Sequence, residues 1–405
     1  MFTLFYELLT TPWILKTLAF SILVGSVISL IEKSGGVAGF IDYMLHKKAL
    51  IKSPRGALVL SYIIGVVIFI ESSITALIAG AVGKPFCNKY KIPHAKLAFV
   101  CDSTSAPISS LIVLNGWGAL ILGLITAQIS SGIIEGNGVN ILIESVLYNF
   151  YAMSALVVTF VAIWFSIDLG KMKGLKYQEQ KLSEQVNKAS MYFMLLPIIW
   201  MVSFVFMFLY ITGDGDMLAG SGSSSIFYTL VLTLLLMFIY YVVSKNMSIK
   251  VWGKTSVLGA KKLFPIAMIL LFAFGIGKVT SELQTGLYLA SLADEILSVH
   301  LLAGLIFILS AVIAFSTGTS WGTFSIMIPI AIPMAVGMDA NVALAIGAVI
   351  SGGVFGDHCS PISDTTIISS MASDCDVIEH VQTQLPYALI SGFIAFSLFI
   401  LLSII

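Results

Sequence analysis

Two short runs of carboxylates, hydroxyls and an imidazole interrupt an otherwise apolar chain. The richer one, DHCSPISDTT, sets Asp357, His358, Ser360, Ser363, Asp364 and Thr365 around Pro361, shortly after Gly352 and Gly353. The other, DSTSAPIS, carries Asp102, Ser103 and Thr104 ahead of Pro107, and the two align with one residue of offset. Each run places hard oxygen donors beside a residue that removes a helical hydrogen bond, so hydroxyls, carboxylates and freed main-chain carbonyls converge. Such donors suit Na+, or a proton carried on a carboxyl group. In hydrocarbon each carboxylate costs about 2.5 to 3.5 kcal/mol on insertion scales, so a partner for it is expected. Asp357 and Asp364 are the foremost candidates, and Lys278 is the cation that could neutralise them in a purely structural role. Asp102 lies six residues after Lys96, which sets it nearer an interface. His358 is a ligand, a proton shuttle or a plain hydrogen-bonding group.

Two further polar clusters sit inside apolar stretches. Glu71, Ser72, Ser73 and Thr75 form one, and Ser316, Thr317, Thr319 and Ser320 the other. Taken singly, such small residues serve ordinary helix packing in membranes. Four clusters at corresponding places in two halves point instead to ion ligation.

These residues must be held by membrane helices. Hydrophobic residues make up 58% of the 405 and charged ones only 10%, far from the composition of a soluble domain. Apolar runs near 20 residues recur, and the alternation of outer-membrane strands is missing. A formal net charge of zero suggests no nucleic-acid partner. The four cysteines (Cys87, Cys101, Cys359 and Cys375) share no metal or disulfide spacing and read as reduced core thiols.

Charge fixes the topology. Of the twenty lysines, all but Lys16 and Lys278 cluster with Arg55 in four connections, around 33–55, 84–96, 171–188 and 245–262, which face the cytoplasm by the positive-inside rule. Residues 56–83 are apolar between two basic flanks, so they enter and return as a hairpin with its tip at Glu71–Thr75. Residues 97–131 exceed one span and read as a broken helix, with the Asp102–Pro107 run in its first half and Asn115-Gly-Trp-Gly118 as a second weak point. Residues 300–338 form a second hairpin, entered from outside, and 341–372 a second broken helix. Residues 281–298 read as an interfacial segment and 374–385 as an amphipathic connector at the cytoplasmic surface. The expected fold is an all-α polytopic membrane protein with inverted-topology repeats, each holding a re-entrant hairpin and a discontinuous helix. Residues 1–168 make the first repeat, 169–190 a cytoplasmic linker and 191–405 the second repeat, whose two leading spans have no counterpart before Pro12.

Other chemistries fit poorly. Asp357, His358 and Cys359 are consecutive and cannot easily share a tetrahedral zinc site. Gly318-Thr-Ser320-Trp-Gly322 has the letters of a hydrolase nucleophile elbow without the strand that must precede it. Gly353-Val-Phe-Gly-Asp357 lacks the spacing of intramembrane aspartyl proteases. An enzyme is not expected.

At SGGVFGDHCSPISDTTIISSMAS, followed by HVQTQLPYAL, the sequence closely resembles the NhaC-type Na+/H+ antiporters of the ion transporter superfamily. The resemblance continues in KSPRGALVL, KYKIPHAKLAFVCDSTSAPIS and NGWGA. It implies a sodium-coupled carrier of the bacterial inner membrane, a homodimer in the lipid bilayer, in which a transport domain moves against a scaffold in elevator fashion. It implies no cofactor, only Na+ as coupling ion, and carries the site onto Asp357, His358, Ser360, Ser363, Asp364 and Thr365, with Asp102, Ser103 and Thr104 in the first repeat. Where that family often shows adjacent aspartates at the first hairpin tip, this chain has Glu71-Ser72-Ser73. The expected activity is Na+/H+ antiport; the alternative, favoured by that change, is Na+-coupled transport of an amino acid or small organic acid.

Overall fold

A computed structural model describes residues 2–46, 51, 53–69, 72–177, 189–217, 220–283, 288 and 298–404. All regular elements among them are helices: α1 (Phe2–Thr10), α2 (Pro12–Ser34), α3 (Gly36–His46), α4 (Pro54–Val67), α5 (Ser72–Tyr90), α6 (His94–Leu111), α7 (Gly116–Ser130), α8 (Gly138–Leu147), α9 (Phe150–Phe165), α10 (Tyr192–Thr212), α11 (Gly222–Val243), α12 (Ile249–Glu282), α13 (Val299–Thr317), α14 (Ser320–Gly337), α15 (Val342–Cys359), α16 (Asp364–Ser373) and α17 (Val377–Leu402). Among the described residues eight helices are long and apolar enough to cross a membrane. Large apolar side chains stay exposed along them, among them Val157, Phe165, Ile199 and Phe393, as lipid-facing helices require. The chain is a multi-pass membrane protein.

The same order of elements occurs twice. A long helix (α2, α12) is followed by two consecutive helices split at a short break (α4 and α5; α13 and α14), an interrupted helix (α6 then α7; α15 then α16) and a further span (α9, α17). The chain divides into two compact units, and both draw on both repeats. The first contains 1–47, 116–142 and 183–279, the second 48–115, 143–182 and 280–405. Of the interfacial segment read over 281–298, residues 281 and 282 close α12 and most of the rest lies outside the described residues, as does 178–188, half of the 169–190 linker.

The breaks fall where side chains can replace lost helical hydrogen bonds. Helix α6 runs unbroken through Asp102 and Pro107 and ends at Leu111, so the second of the two weak points is the true break. There Asn115 Nδ2 donates to the Ser109 and Phe69 carbonyls at 2.8 and 2.9 Å. In the second repeat α15 continues through Gly352 and Gly353 and breaks at 360–363. These glycines allow close packing rather than breaking the helix. A Cβ on Gly352 would lie 2.3 Å from the Phe307 carbonyl oxygen of α13, and one on Gly356 2.1 Å from that of Ala311. Helix α16 then restarts with Ser363 as N-cap, its Oγ accepting from Thr366 N–H.

The amphipathic connector expected over 374–385 is instead the beginning of α17. Asp374 adopts a left-handed conformation that closes α16, and Asp376 caps α17, accepting from Glu379 N–H. The helix then runs through Pro386 to Leu402. One polar face of it is turned inward, with His380, Thr383, Gln384 and Ser391 all buried, while Gln382 stays exposed.

Candidate functional site

Every residue of the buried polar centre belongs to the second unit. Helices α6, α15, α16 and α17 bring two carboxylates into it, and both are shut off from solvent. Asp102 on α6 accepts from four side chains: Gln384 Nε2 at 2.7 Å, Thr366 Oγ1 and His380 Nε2 at 3.3 Å, and Ser369 Oγ at 3.4 Å. It is fully buried within the protein. The neighbouring Lys96 turns away to pair with Asp168 at 2.7 Å.

Asp357, near the C-terminal end of α15, is held more sparsely. Its Oδ2 accepts from Thr365 Oγ1 at 3.4 Å, and Thr365 in turn lies 3.1 Å from Ser363 Oγ. Its Oδ1 has no hydrogen-bond partner among the described residues. No lysine or arginine pairs with either carboxylate among these residues, since Lys278 joins Glu7 and the remaining pairs lie elsewhere. His358 follows on α15, its Nδ1 3.1 Å from the Tyr151 hydroxyl and its Nε2 without a partner among the described residues.

One amide joins the two halves of this centre. Gln384 Nε2 donates both to Asp102 and, at 2.9 Å, to the carbonyl of His358. Adjacent residues at the beginning of α16 divide the work, Thr365 reaching Asp357 and Thr366 reaching Asp102.

The other expected residues are placed as follows. Ser363 and Thr365 are buried beside Asp357, whereas Asp364 is exposed at the first turn of α16, its Oδ1 accepting from Thr365 N–H at 2.8 Å. Ser360 is buried and donates to the Phe315 carbonyl at 2.8 Å, and Ser320 to the Gly353 carbonyl at 3.2 Å. Thr75 donates to the Ile68 carbonyl across the first hairpin break. The carbonyls of Phe315 and Ile68 are among those that helix ends leave open, whereas Gly353 lies within α15. Ser72 is buried and Ser73 partly so, and Glu71 lies outside the described residues. Ser103 is buried, and Thr104 bonds back to the Val100 carbonyl at 2.7 Å where Gly65 of α4 packs on it. Ser316 and Thr317 are exposed and bond the carbonyls of Val312 and Ile313, and Thr319 caps α14.

Sequence reasoning missed Tyr151, Ser369, His380 and Gln384. A signal for α17 is present: His380, Thr383, Gln384, Tyr387 and Ser391 recur at helical spacing along one face. A surface connector would turn that face to water, whereas the helix turns it to Asp102.

Comparison with known proteins gives the chain its family. The model of the Na+/H+ antiporter family matches residues 115–404. An uncharacterised Haemophilus influenzae protein is 33% identical over 390 residues, covering 91% of this chain and 75% of that protein. More local matches, under a fifth of each relative's length, are to an uncharacterised Na+/H+ antiporter of H. influenzae (43% over 86 residues, 21% of this chain) and the malate-2H+/Na+-lactate antiporter of Bacillus subtilis (40% over 88 residues, 22% of this chain). Among solved structures, the YdaH transporter of Alcanivorax borkumensis matches with a TM-score of 0.55 at 14% identity, covering 95% of this chain and 84% of that one. That likeness concerns the fold.

Proposed function

This chain belongs to the Na+/H+ antiporter family, and from that premise we propose that it exchanges Na+ for protons, with Asp357 as the group at which the two compete. It is a secondary transporter. The observation that carries the proposal is the state of Asp357: buried, without a lysine or arginine partner and with one oxygen unpartnered among the described residues. A carboxylate in such surroundings persists only with a cation or a proton on it. Its position near the C-terminal, negative end of α15 adds to the pull on a cation. Thr365 and Ser363 supply further oxygens of the kind Na+ takes.

All of these side chains belong to one compact unit, which supports an elevator-like mechanism in which that unit carries the ion as a body. The homodimer implied by the resemblance is part of the same proposal and is read by light scattering on the detergent-solubilised protein. The test of antiport is a Na+ gradient imposed on proteoliposomes containing a pH-sensitive dye. Outward Na+ should drive proton uptake, and a silent dye with intact Na+ flux refutes the exchange of protons.

The residues at the first hairpin tip favour a second reading. Where NhaC-type antiporters often show adjacent aspartates this chain has Glu71-Ser72-Ser73, one carboxylate fewer, and one relative is named for exchanging malate and protons against Na+ and lactate. Under this reading the protein couples Na+ to a small carboxylate or amino acid. Uptake of a panel of labelled solutes, with and without Na+, separates the two readings.

A further inference from the structure

In the first unit a cavity of about 600 Å3 opens between the end of α2 and the beginning of α12, with Ser29, Glu32 and Lys33 on one wall and Lys254, Thr255 and Lys262 on the other. None of these residues belongs to the polar centre of the second unit. The two helices run antiparallel, as the pairs Trp13 with Phe274 and Gly25 with Gly259 require. They touch backbone to backbone at the glycines, where a Cβ on Gly25 would lie 2.3 Å from the Gly259 carbonyl oxygen. Ser26 Oγ donates to the Ser256 carbonyl at 2.8 Å beside that crossing. Past this contact larger residues replace glycine, and a wedge remains between the helices.

The wedge is cationic. Lys33, Lys254 and Lys262 are exposed around it, and the single acid, Glu32, lies 3.6 Å from Lys262, so a surplus of two positive charges faces the opening. Deeper inside, Ser29 is only 7% exposed and its Oγ has no hydrogen-bond partner among the described residues. Elsewhere in the same helix Thr17 and Ser21 bond back to the carbonyls of Trp13 and Thr17, at 2.8 and 3.0 Å. Ser29 makes no such bond, and a buried donor without an acceptor is costly. Val251 and Leu258 add an apolar strip to the α12 wall. Both lysine clusters are among those the positive-inside rule assigns to the cytoplasmic face, where anionic lipids concentrate.

We propose that this wedge holds a phosphate group, supplied in the membrane by the headgroup of an anionic phospholipid of the cytoplasmic leaflet, with Lys33 and Lys254 as charge partners and Ser29 as the inner donor. The apolar strip then receives the glycerol and upper acyl carbons. The full-length protein, delipidated in uncharged detergent, is titrated with phosphatidylglycerol and phosphatidylcholine and examined by native mass spectrometry. The expected result is one phosphatidylglycerol retained per chain in preference to phosphatidylcholine. The Lys33→Gln/Lys254→Gln variant should lower that preference on the order of thirtyfold, from the usual contribution of a lysine near an anionic surface. Should that variant not fold, Ser29→Ala and Lys254→Gln singly carry the same test with a several-fold loss. Competition with inorganic phosphate and with glycerol phosphate separates the sources: displacement at millimolar concentration marks a site for soluble phosphates, and resistance marks a lipid site. Equal retention of both lipids, with no phosphate binding, overturns the proposal, as does a double variant that behaves like the unaltered chain.

Discussion

Helix α6 and the α15–α16 pair each bring one aspartate into the same buried centre, and they treat it differently. Asp102 is surrounded by four donors drawn from α16 and α17. Asp357 has one long bond from Thr365 and an oxygen with no partner among the described residues. A carboxylate whose hydrogen bonds are complete is a fixed charge that organises its surroundings. One whose hydrogen bonds are incomplete is available to something that comes and goes. Under the proposed exchange the aligned sequence motifs would perform different tasks, Asp102 holding the centre together and Asp357 receiving the ion.

The largest effects expected follow from that division. Asp357→Asn should abolish Na+-driven proton movement in proteoliposomes, a loss of at least about 100-fold if the group carries the transported charge. It should leave the thermal unfolding midpoint in detergent nearly unchanged, since little hydrogen bonding is lost. Asp102→Asn should do the reverse in stability. It turns an acceptor-only group into one that also donates, strands some of its four donors, and costs about 3 to 5 kcal/mol, the usual penalty for breaking a buried charged network. If both variants unfold alike, the distinction between the two aspartates is wrong.

Next in size is the amide that links them. Gln384→Leu removes the donor shared by Asp102 and the His358 carbonyl, leaving two buried acceptors short of a partner at about 1 to 3 kcal/mol. Because the link runs between the fixed charge and the α15 end that carries Asp357, it should also weaken apparent Na+ affinity. Measuring the KM for Na+ together with the unfolding midpoint checks this. A variant that loses stability with an unaltered KM would show that Gln384 serves Asp102 alone.

How far all this was legible in the sequence depended on what each residue had to satisfy. The alternation of spans and the two interrupted helices followed from hydropathy and from the paired Asp–Pro runs. The positions of the breaks did not. Pro107 and Gly352 both suggested interruption, yet the helix persists at Pro107 and gives way where Asn115 can reach the Ser109 carbonyl. Gly352 and Gly356 stay helical because α13 presses its backbone against them. Sequence shows which residues can tolerate a break, whereas tertiary partners determine which break is used. His380 and Gln384 were hidden for a related reason: a polar helical face reads the same whether it meets water or a buried carboxylate, and only the position of α6 distinguishes them.

The glycine contacts offer a smaller test. Gly356→Ala would place a methyl group 2.1 Å from the Ala311 carbonyl oxygen and push α13 from α15, an overpacking cost of about 1 to 3 kcal/mol. It should also reduce transport, because the displaced segment carries Asp357 one residue further on. A methyl group on Gly253 in α12 would meet no described atom within 4 Å, so Gly253→Ala should be neutral or stabilise by up to about 1 kcal/mol through helix propensity. Thermal unfolding of the two variants side by side separates steric pressure from propensity.

The finest distinction concerns two neighbouring threonines. Thr365→Val and Thr366→Val preserve shape and remove one hydroxyl each, from Asp357 in the first case and from Asp102 in the second. At 3.4 and 3.3 Å these are weak bonds, and each loss should amount to about 1 kcal/mol. If Asp357 is the exchange site, removing the Thr365 hydroxyl takes an oxygen from the ion itself and should raise the KM for Na+ about fivefold with little change in the unfolding midpoint. If Asp102 is the fixed charge, the Thr366 variant should lower the midpoint by about one degree and leave the KM unchanged. Adjacent residues with nearly identical chemistry would then report on opposite roles, and an exchange of the two outcomes would reverse the assignment of the aspartates.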